Sequence, residues 1–166
     1  MSTVEIPVSG SDRPALVDDF NAWVMQHSWC MTSTGYAHSR IAGRLIYMHR
    51  LIVGDPDGIQ VDHEDHDGLN NTVENLRMAT NQENKWNQGK RQTYAKKPTY
   101  SAFKGVTFVK AGQRKRRWLA QIKTPDGRHL SLGHHLTEED AARAYDDAAV
   151  KYFGSFACTN KSMNLL

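Results

Sequence analysis

The residues best suited to chemistry lie in one run, Val61-Asp62-His63-Glu64-Asp65-His66-Asp67-Gly68-Leu69-Asn70-Asn71, which continues through Asn75-Leu76-Arg77 to Asn81 and Asn84. A hard divalent cation takes oxygen ligands, and one carboxylate with one amide oxygen leaves positions open for phosphate and water. A neutral histidine close to such a metal can take a proton from an attacking water. Those residue types suit phosphodiester cleavage. Two plainer readings stay open at this level. The run could be a solvated acidic loop. It could also be a calcium loop, with Asp65, Asp67, Gly68 and Glu74 at its third, fifth, sixth and twelfth positions. In that case His63 stands where Asp is expected, and no convincing helix leads into the loop. Asp65 and His66 could add ligands, although facing solvent suits them better. His49 and Arg50 either pack or hold phosphate, and the sequence does not choose.

Local signals say how the run is held. Val61 ends a strand and sets Asp62 and His63 at its mouth, and Leu76–Ala79 pairs back as a second short strand. Thr80 and Glu83 form a Thr-x-x-Glu capping box that starts a helix at Asn81. Asn84 then sits one turn into that helix, able to point back toward the strand end. Upstream, residues 1 to about 60 read as short elements. These are a strand near Ala15–Val17, a short helix with Phe20, Trp23 and Val24 on one face, and strands around Gly35–Arg40 and Arg44–Tyr47.

The chain has 166 residues with 39% hydrophobic and 23% charged, enough for one ordinary domain or two small folded ones. No apolar run approaches a membrane span, and the N-terminus lacks a signal-peptide layout, so a soluble intracellular protein is the expectation. Cys30 and Cys158 belong to no CxxC pair, so no structural zinc and no disulfide framework are expected. The net charge of +3 hides an asymmetry. Residues 1–84 hold five Lys/Arg against twelve Asp/Glu, and residues 85–166 hold sixteen against six. An acidic half joined to a basic half suggests that the second meets a polyanion, although two soluble modules of different charge also satisfy it.

Residues 89–100 read as a basic, structure-poor linker, with Lys90, Arg91, Lys96 and Lys97 available to phosphates. Beyond it the pattern sharpens. Strand candidates are Gly105–Lys110, Arg117–Lys123 and Arg128–Gly133, with a tight turn at Pro125-Asp126-Gly127. A helix follows over Glu138–Tyr152, N-capped by Thr137, with Ala141, Tyr145, Ala148 and Tyr152 on one face. On the middle strand Trp118, Ala120 and Ile122 face that helix, leaving Arg117, Leu119, Gln121 and Lys123 outward.

The first segment resembles the HNH nuclease motif of phage and intron-encoded homing endonucleases, on Asp62-His63, Asn75 followed by Leu, Asn84 and the upstream Tyr47-Met48-His49-Arg50-Leu51. The resemblance implies a ββα-metal site with His63 as general base and Asp62 and Asn84 as metal ligands. Asn75 holds the loop and orients the base. One Mg²⁺ or Mn²⁺ is implied rather than zinc, because the third motif position is Asn84 and not His.

The C-terminal block resembles the plant ethylene-response-factor (apetala-two) DNA-binding domain on Phe103-Lys104-Gly105-Val106, Trp118–Ile122, Leu132-Gly133, Thr137–Asp146, Phe153-Gly154 and Asn160. That likeness implies a three-stranded sheet entering the major groove with Lys104, Gln121, Lys123 and His129 at contact positions. Separately from the resemblance, loop residues Arg114, Lys115 and Arg116 are expected to contact the DNA backbone, and outward Arg117 is free to meet DNA. Thr107, Val109 and Ser131 replace the family's Arg, Arg and Trp, so its target sequence does not transfer.

Together these give an α+β chain: an HNH nuclease module over 1–88, a linker over 89–100, and an apetala-two-like domain over 101–166 whose three-stranded antiparallel sheet packs on one helix. The expected activity is metal-dependent cleavage of double-stranded DNA, with a nick as the simplest product, by a monomer or weak dimer encoded by a phage and acting in bacterial cytoplasm. The competing readings are a DNA-binding regulator with a decayed nuclease module and a structural phage protein that holds DNA.

Overall fold

A computed structural model of the protein describes residues 2–90, 93–94, 97–98, 100–110, 115 and 117–166, with side chains left out at 93, 94, 97 and 98. The expectations for Arg91, Lys96, Arg114 and Arg116, and for the side chain of Lys97, lie outside the described residues. The first elements are β1 (Thr3–Ile6), β2 (Val8–Ser9), β3 (Ala15–Asp18), a 3-10 helix (Asp19–Gln26), β4 (Trp29–Met31), β5 (Ala37–Ile41) and β6 (Arg44–Tyr47). Next come α1 (Met48–Ile52), β7 (Gln60–His63), β8 (Leu76–Ala79) and α2 (Asn81–Trp86). The remainder holds β9 (Thr93–Tyr94), β10 (Lys97–Pro98), β11 (Val106–Phe108), β12 (Trp118–Lys123), β13 (His129–His135) and α3 (Glu138–Phe153). The architecture is mixed α+β, with small sheets and few helices. Contacts divide it into two compact units, residues 1–81 and 82–166. No helix among the described residues is long and apolar enough to cross a membrane.

In the first unit β1 pairs antiparallel with β3, setting Ile6 opposite Ala15. A second sheet runs β2-β4-β5-β6, parallel at its first pair and antiparallel thereafter. Ile6, Val17, Val24, Trp29 and Met48 form the core, and the buried Trp29 indole donates to the Val24 carbonyl at 2.9 Å. The helix after β3 differs from the sequence expectation. It is a 3-10 helix, in which residues three apart eclipse. Asn21 and Val24 therefore share the buried face, while Phe20 and Trp23 share an exposed one.

β7 and β8 form an antiparallel pair with Asp62 opposite Arg77 and His63 opposite Leu76. Val61, Leu76 and Ala79 are buried along it. The cross-strand charges meet. Arg77 Nε donates to Asp62 Oδ2 at 2.9 Å, with Nη2 2.8 Å from the same oxygen. Their side chains are only 15% and 7% exposed, which removes this pair from the weak surface class.

In the second unit β11, β12 and β13 make the three-stranded antiparallel sheet, with α3 against one face. Ala120 and Ile122 of β12 are buried, and α3 answers with Ala141, Ala142, Tyr145, Ala148, Ala149 and Phe153. The small side chains let the helix axis approach the strands closely. Thr137 caps α3 by accepting from the Asp140 N–H. In the stretch read as a linker, β9 and β10 pair over two residues each.

Gly105 has φ +76°, and an added Cβ would lie 1.9 Å from the Tyr145 ring. Gly105→Ala therefore lowers stability by about 3 kcal/mol or more, read as a fall in the urea midpoint of the full chain. Arg77→Met strands the Asp62 carboxylate without its counter-charge and lowers stability by about 3 kcal/mol. An unchanged midpoint would show that the ion pair adds nothing.

Candidate active site

Asp62 and His63 end β7 and are both buried, at 6% and 5% exposed. The chain then leaves the sheet for a polar loop and returns at Leu76. Asn75 fastens that loop at its closing end. Its Nδ2 donates to Asp65 Oδ1 at 2.9 Å and to the Asn70 carbonyl at 2.7 Å, and its Oδ1 accepts from the Asp65 N–H at 3.0 Å. Its own carbonyl accepts from the Glu64 N–H at 3.0 Å. Asn70 Nδ2 completes the ring by donating to Asp65 Oδ2 at 2.7 Å. Asp65 is thus held by amides within the loop.

Asp67 is held differently. Arg13 donates to both of its oxygens, at 2.9 and 3.0 Å, and this guanidinium keeps the Asp67 carboxyl below the usual range. Among the described residues no three His, Cys, Asp or Glu side chains gather closely enough to hold a metal by themselves. The Asp62 carboxylate stands next to the base in sequence, and its Oδ2 is steadied by Arg77. A hard cation fits such a donor, with amide oxygens and water completing its shell.

The loop is anchored to the first unit's core. Leu16 N–H donates to the Leu69 carbonyl and the Leu16 carbonyl accepts from the Asn71 N–H, each at 2.8 Å. Asp18, itself buried, accepts from the Val73 N–H at 2.7 Å. Leu69 inserts into the core.

His63 is enclosed by side chains that sequence reasoning did not assign. Its ring lies 4.9 Å from that of His49, nearly perpendicular, and 5.5 Å from that of Tyr36. Its Nε2 is 3.3 Å from Asn71 Oδ1. Burial pushes the His63 pKa below the ordinary histidine value, with Asn71 and the nearby carboxylates pulling it partly back. Burial thus favours the neutral imidazole, the form a proton acceptor requires. His49 is buried further toward neutrality, down to about 3, and its Nδ1 has no hydrogen-bond partner among the described residues. The Tyr47-Met48-His49 run was the available sequence signal for it. Nothing local marked Tyr36 or Asn71, because loop and strand are brought to His63 by tertiary pairing.

The remaining sequence-predicted residues lie in the second unit. Asn84 is on α2, which opens at Asn81 where the capping-box pattern put it. Gln121, Lys123 and His129 are exposed on the sheet, beside exposed Thr107 and Ser131, while Lys115 and Arg117 are exposed before β12. Gln121 Nε2 is only loosely shared with Thr107 Oγ1, at 3.5 Å. Lys90 is half-buried.

Lys104 departs from this outward set. Its Nζ donates to the Trp86 and Gln88 carbonyls at 3.0 and 2.6 Å, and burial lowers its pKa. Its backbone is clasped by buried Asn160, which accepts from the Lys104 N–H at 2.6 Å and donates to its carbonyl at 3.2 Å. The ammonium acts as an internal clamp on the segment after α2. The side chain stem is long and basic in sequence, and only the fold reveals which carbonyls it meets.

Comparison with known proteins agrees with the first half of this picture. The family described as HNH endonuclease matches residues 47–85. An uncharacterized HNH endonuclease of Acanthamoeba polyphaga mimivirus is 35% identical over 144 residues, which span 83% of this chain and 69% of the viral protein. An AP2-like ethylene-responsive transcription factor of Arabidopsis thaliana is 43% identical over 65 residues, covering 39% of this chain but 12% of the plant protein. APETALA2-like protein 2 of Oryza sativa is 44% identical over 61 residues, covering 36% and 13% respectively. The plant likenesses are therefore partial. The viral one runs through most of both chains, and the family match includes Asp62 and His63, so this chain belongs to the HNH endonuclease family.

Proposed function

We propose that the protein is a metal-dependent endonuclease that hydrolyses a phosphodiester bond of double-stranded DNA, with His63 as general base. The observation that carries this is the buried His63 next to Asp62 at the end of β7, before a loop fastened by Asn75. The oxygen of an attacking water bonds to phosphorus, its proton passes to His63, and the P–O bond to the leaving oxygen breaks. That oxygen then takes a proton from solvent. Asp62 and, from its spacing in the motif, Asn84 are the proposed ligands of one divalent metal, Mg²⁺ or Mn²⁺. When bound, the metal supplies positive charge against the leaving oxygen. Asn75 acts by keeping the loop closed, since its amide bonds run to Asp65 and Asn70.

In this reading residues 1–88 supply the nuclease module, 89–100 a basic linker, and 101–166 an apetala-two-like DNA-binding domain. The partial plant likenesses and the basic balance of the second half support that assignment. Its proposed DNA face carries Gln121, Lys123 and His129, with Lys115, Arg117 and, by sequence, Arg114 and Arg116 toward phosphates. Lys104 is left out of that face, its ammonium being engaged internally. Lys90, Arg91, Lys96 and Lys97 are proposed phosphate contacts of the linker. One copy brings one active site, so a nick is the proposed product of a monomer. A phage or viral origin, with action in a host cytoplasm, accords with the viral relative.

Supercoiled DNA incubated with Mg²⁺, Mn²⁺ or EDTA tests the chemistry. The wild type nicks it only with metal, and His63→Ala lowers the rate at least about a hundredfold. Tight DNA binding with no metal-dependent break on any of several DNAs favours the regulator instead. A second measurement concerns the sheet. Lys123→Ala weakens DNA binding and reduces the slope of log affinity against log salt by about one, leaving metal affinity unchanged. An unaltered slope removes Lys123 from the DNA face.

A further inference from the structure

We infer that Asn71 is a positioning residue for the base: it fixes the tautomer of His63, so that Nε2 carries the ring proton and Nδ1 is the nitrogen that accepts the water's proton. The inference rests on the nuclease reading and adds a residue and an atom to it.

Asn71 is completely buried, between Asn70 and Thr72 in a loop whose neighbours are partly exposed. A buried primary amide must be oriented by its partners, because both its ends carry a desolvation cost if unpaired. Here the orientation is settled from one side. Nδ2 donates to the Leu69 carbonyl at 3.0 Å. Turning the amide over would set Oδ1 against that carbonyl, two acceptors facing each other. Oδ1 is therefore the end presented to His63 Nε2, at 3.3 Å. An amide oxygen can only accept, so the neutral ring must place its single proton on Nε2. The basic lone pair is then on Nδ1.

The tether is rigid because of what holds Asn71. Its N–H donates to the Leu16 carbonyl, and the Leu69 carbonyl that orients its side chain also accepts from the Leu16 N–H. Leu16 sits in β3 between the fully buried Ala15 and Val17. The position of one ring proton is thereby connected, through two backbone hydrogen bonds, to the core of the first unit. The closing Asn75 does not do this work: its amide bonds stay within the loop. Tyr36 and His49 confine the ring by contact from other directions. They limit its tilt, and Asn71 supplies the hydrogen bond that separates one tautomer from the other.

The test reads the tautomer directly. The full chain, labelled with ¹⁵N-histidine, is studied at pH 7.5 by long-range ¹H–¹⁵N correlation, and the His63 ring is assigned by its loss in His63→Ala. The expected wild-type ring is neutral, protonated at Nε2 alone, with an observable, slowly exchanging Nε2–H. In Asn71→Leu, which keeps the volume and removes the acceptor, that proton exchanges fast and the two tautomers mix. The cleavage kcat falls by on the order of a hundredfold with KM little changed. A wild-type ring protonated at Nδ1 overturns the inference without any variant, so a misfolded Asn71→Leu does not protect it. A persistent Nε2–H with full kcat in well-folded Asn71→Leu overturns it as well. The spectrum needs neither metal nor DNA. Failure of the wild type to cleave overturns the nuclease reading alone, while the ring spectrum still decides the role of Asn71.

Discussion

Leu16 is the point from which the active loop hangs. Its two backbone hydrogen bonds, to Leu69 and from Asn71, join a polar loop to a core strand whose flanking residues Ala15 and Val17 are fully buried. Residues 64–75 bury little apolar surface of their own: Leu69 is buried, and Val73 is exposed. Each residue fixed in one conformation costs about 1–2 kcal/mol of backbone entropy, which such a loop cannot recover by burial. Order has to be imported. It comes through Leu16, through Asp18 accepting from the Val73 N–H, and through the side-chain clasp of Asn75. Removing these ties would leave Asp62 at a well-formed strand end but let the surroundings of His63 drift. The short strands before residue 60 thus buttress the loop, a role invisible in their own composition.

A related constraint is charge. Twelve carboxylates against five cations in residues 1–84 suggest a surface that repels a phosphate backbone. In the loop that repulsion is reduced locally. Asp62 faces Arg77, Asp67 faces Arg13, and Asp65 is saturated by amide donors. The carboxylates are therefore individually partnered, and each partner fixes a direction as well as a charge. The two histidines beside them stay neutral because burial disfavours their protonated forms. Burial of an ion pair is weak evidence for stability. Here its clearer consequence is geometric, since Asp62 and Arg77 are register partners and hold β7 and β8 in alignment.

Much of this arrangement was legible in the sequence where structure follows a local rule. The β7–β8 hairpin followed from short apolar runs around a polar loop, and the start of α2 from a capping box. The inward set Trp118, Ala120 and Ile122 followed from alternation, and Thr137 from its place before an acidic first turn. What escaped depends on partners distant in sequence or on a helix period that composition does not announce. Phe20 and Trp23 turned outward because the chain adopted three residues per turn. Asn71 looked like one amide among many until Leu16 pulled it inside. Lys104 had the residue type of a DNA contact, yet its environment is set by Trp86, Gln88 and Asn160, which converge only in the folded unit.

The internal use of Lys104 changes how the proposed DNA face would work. Without it, the exposed strand residues are mainly uncharged: Thr107, Gln121 and Ser131, with Lys123 and His129 at the far end. Uncharged hydrogen-bonding groups can read base edges but contribute little to long-range attraction. On that proposal the attraction would fall to flanking cations such as Lys115 and Arg117, whose charge suits phosphate whatever the sequence. A face divided in this way would hold DNA broadly and discriminate modestly, each base-edge contact being worth about 1–3 kcal/mol. That would suit the proposed nuclease, because the choice of bond could be made by geometry at His63 after a tolerant domain had brought DNA near.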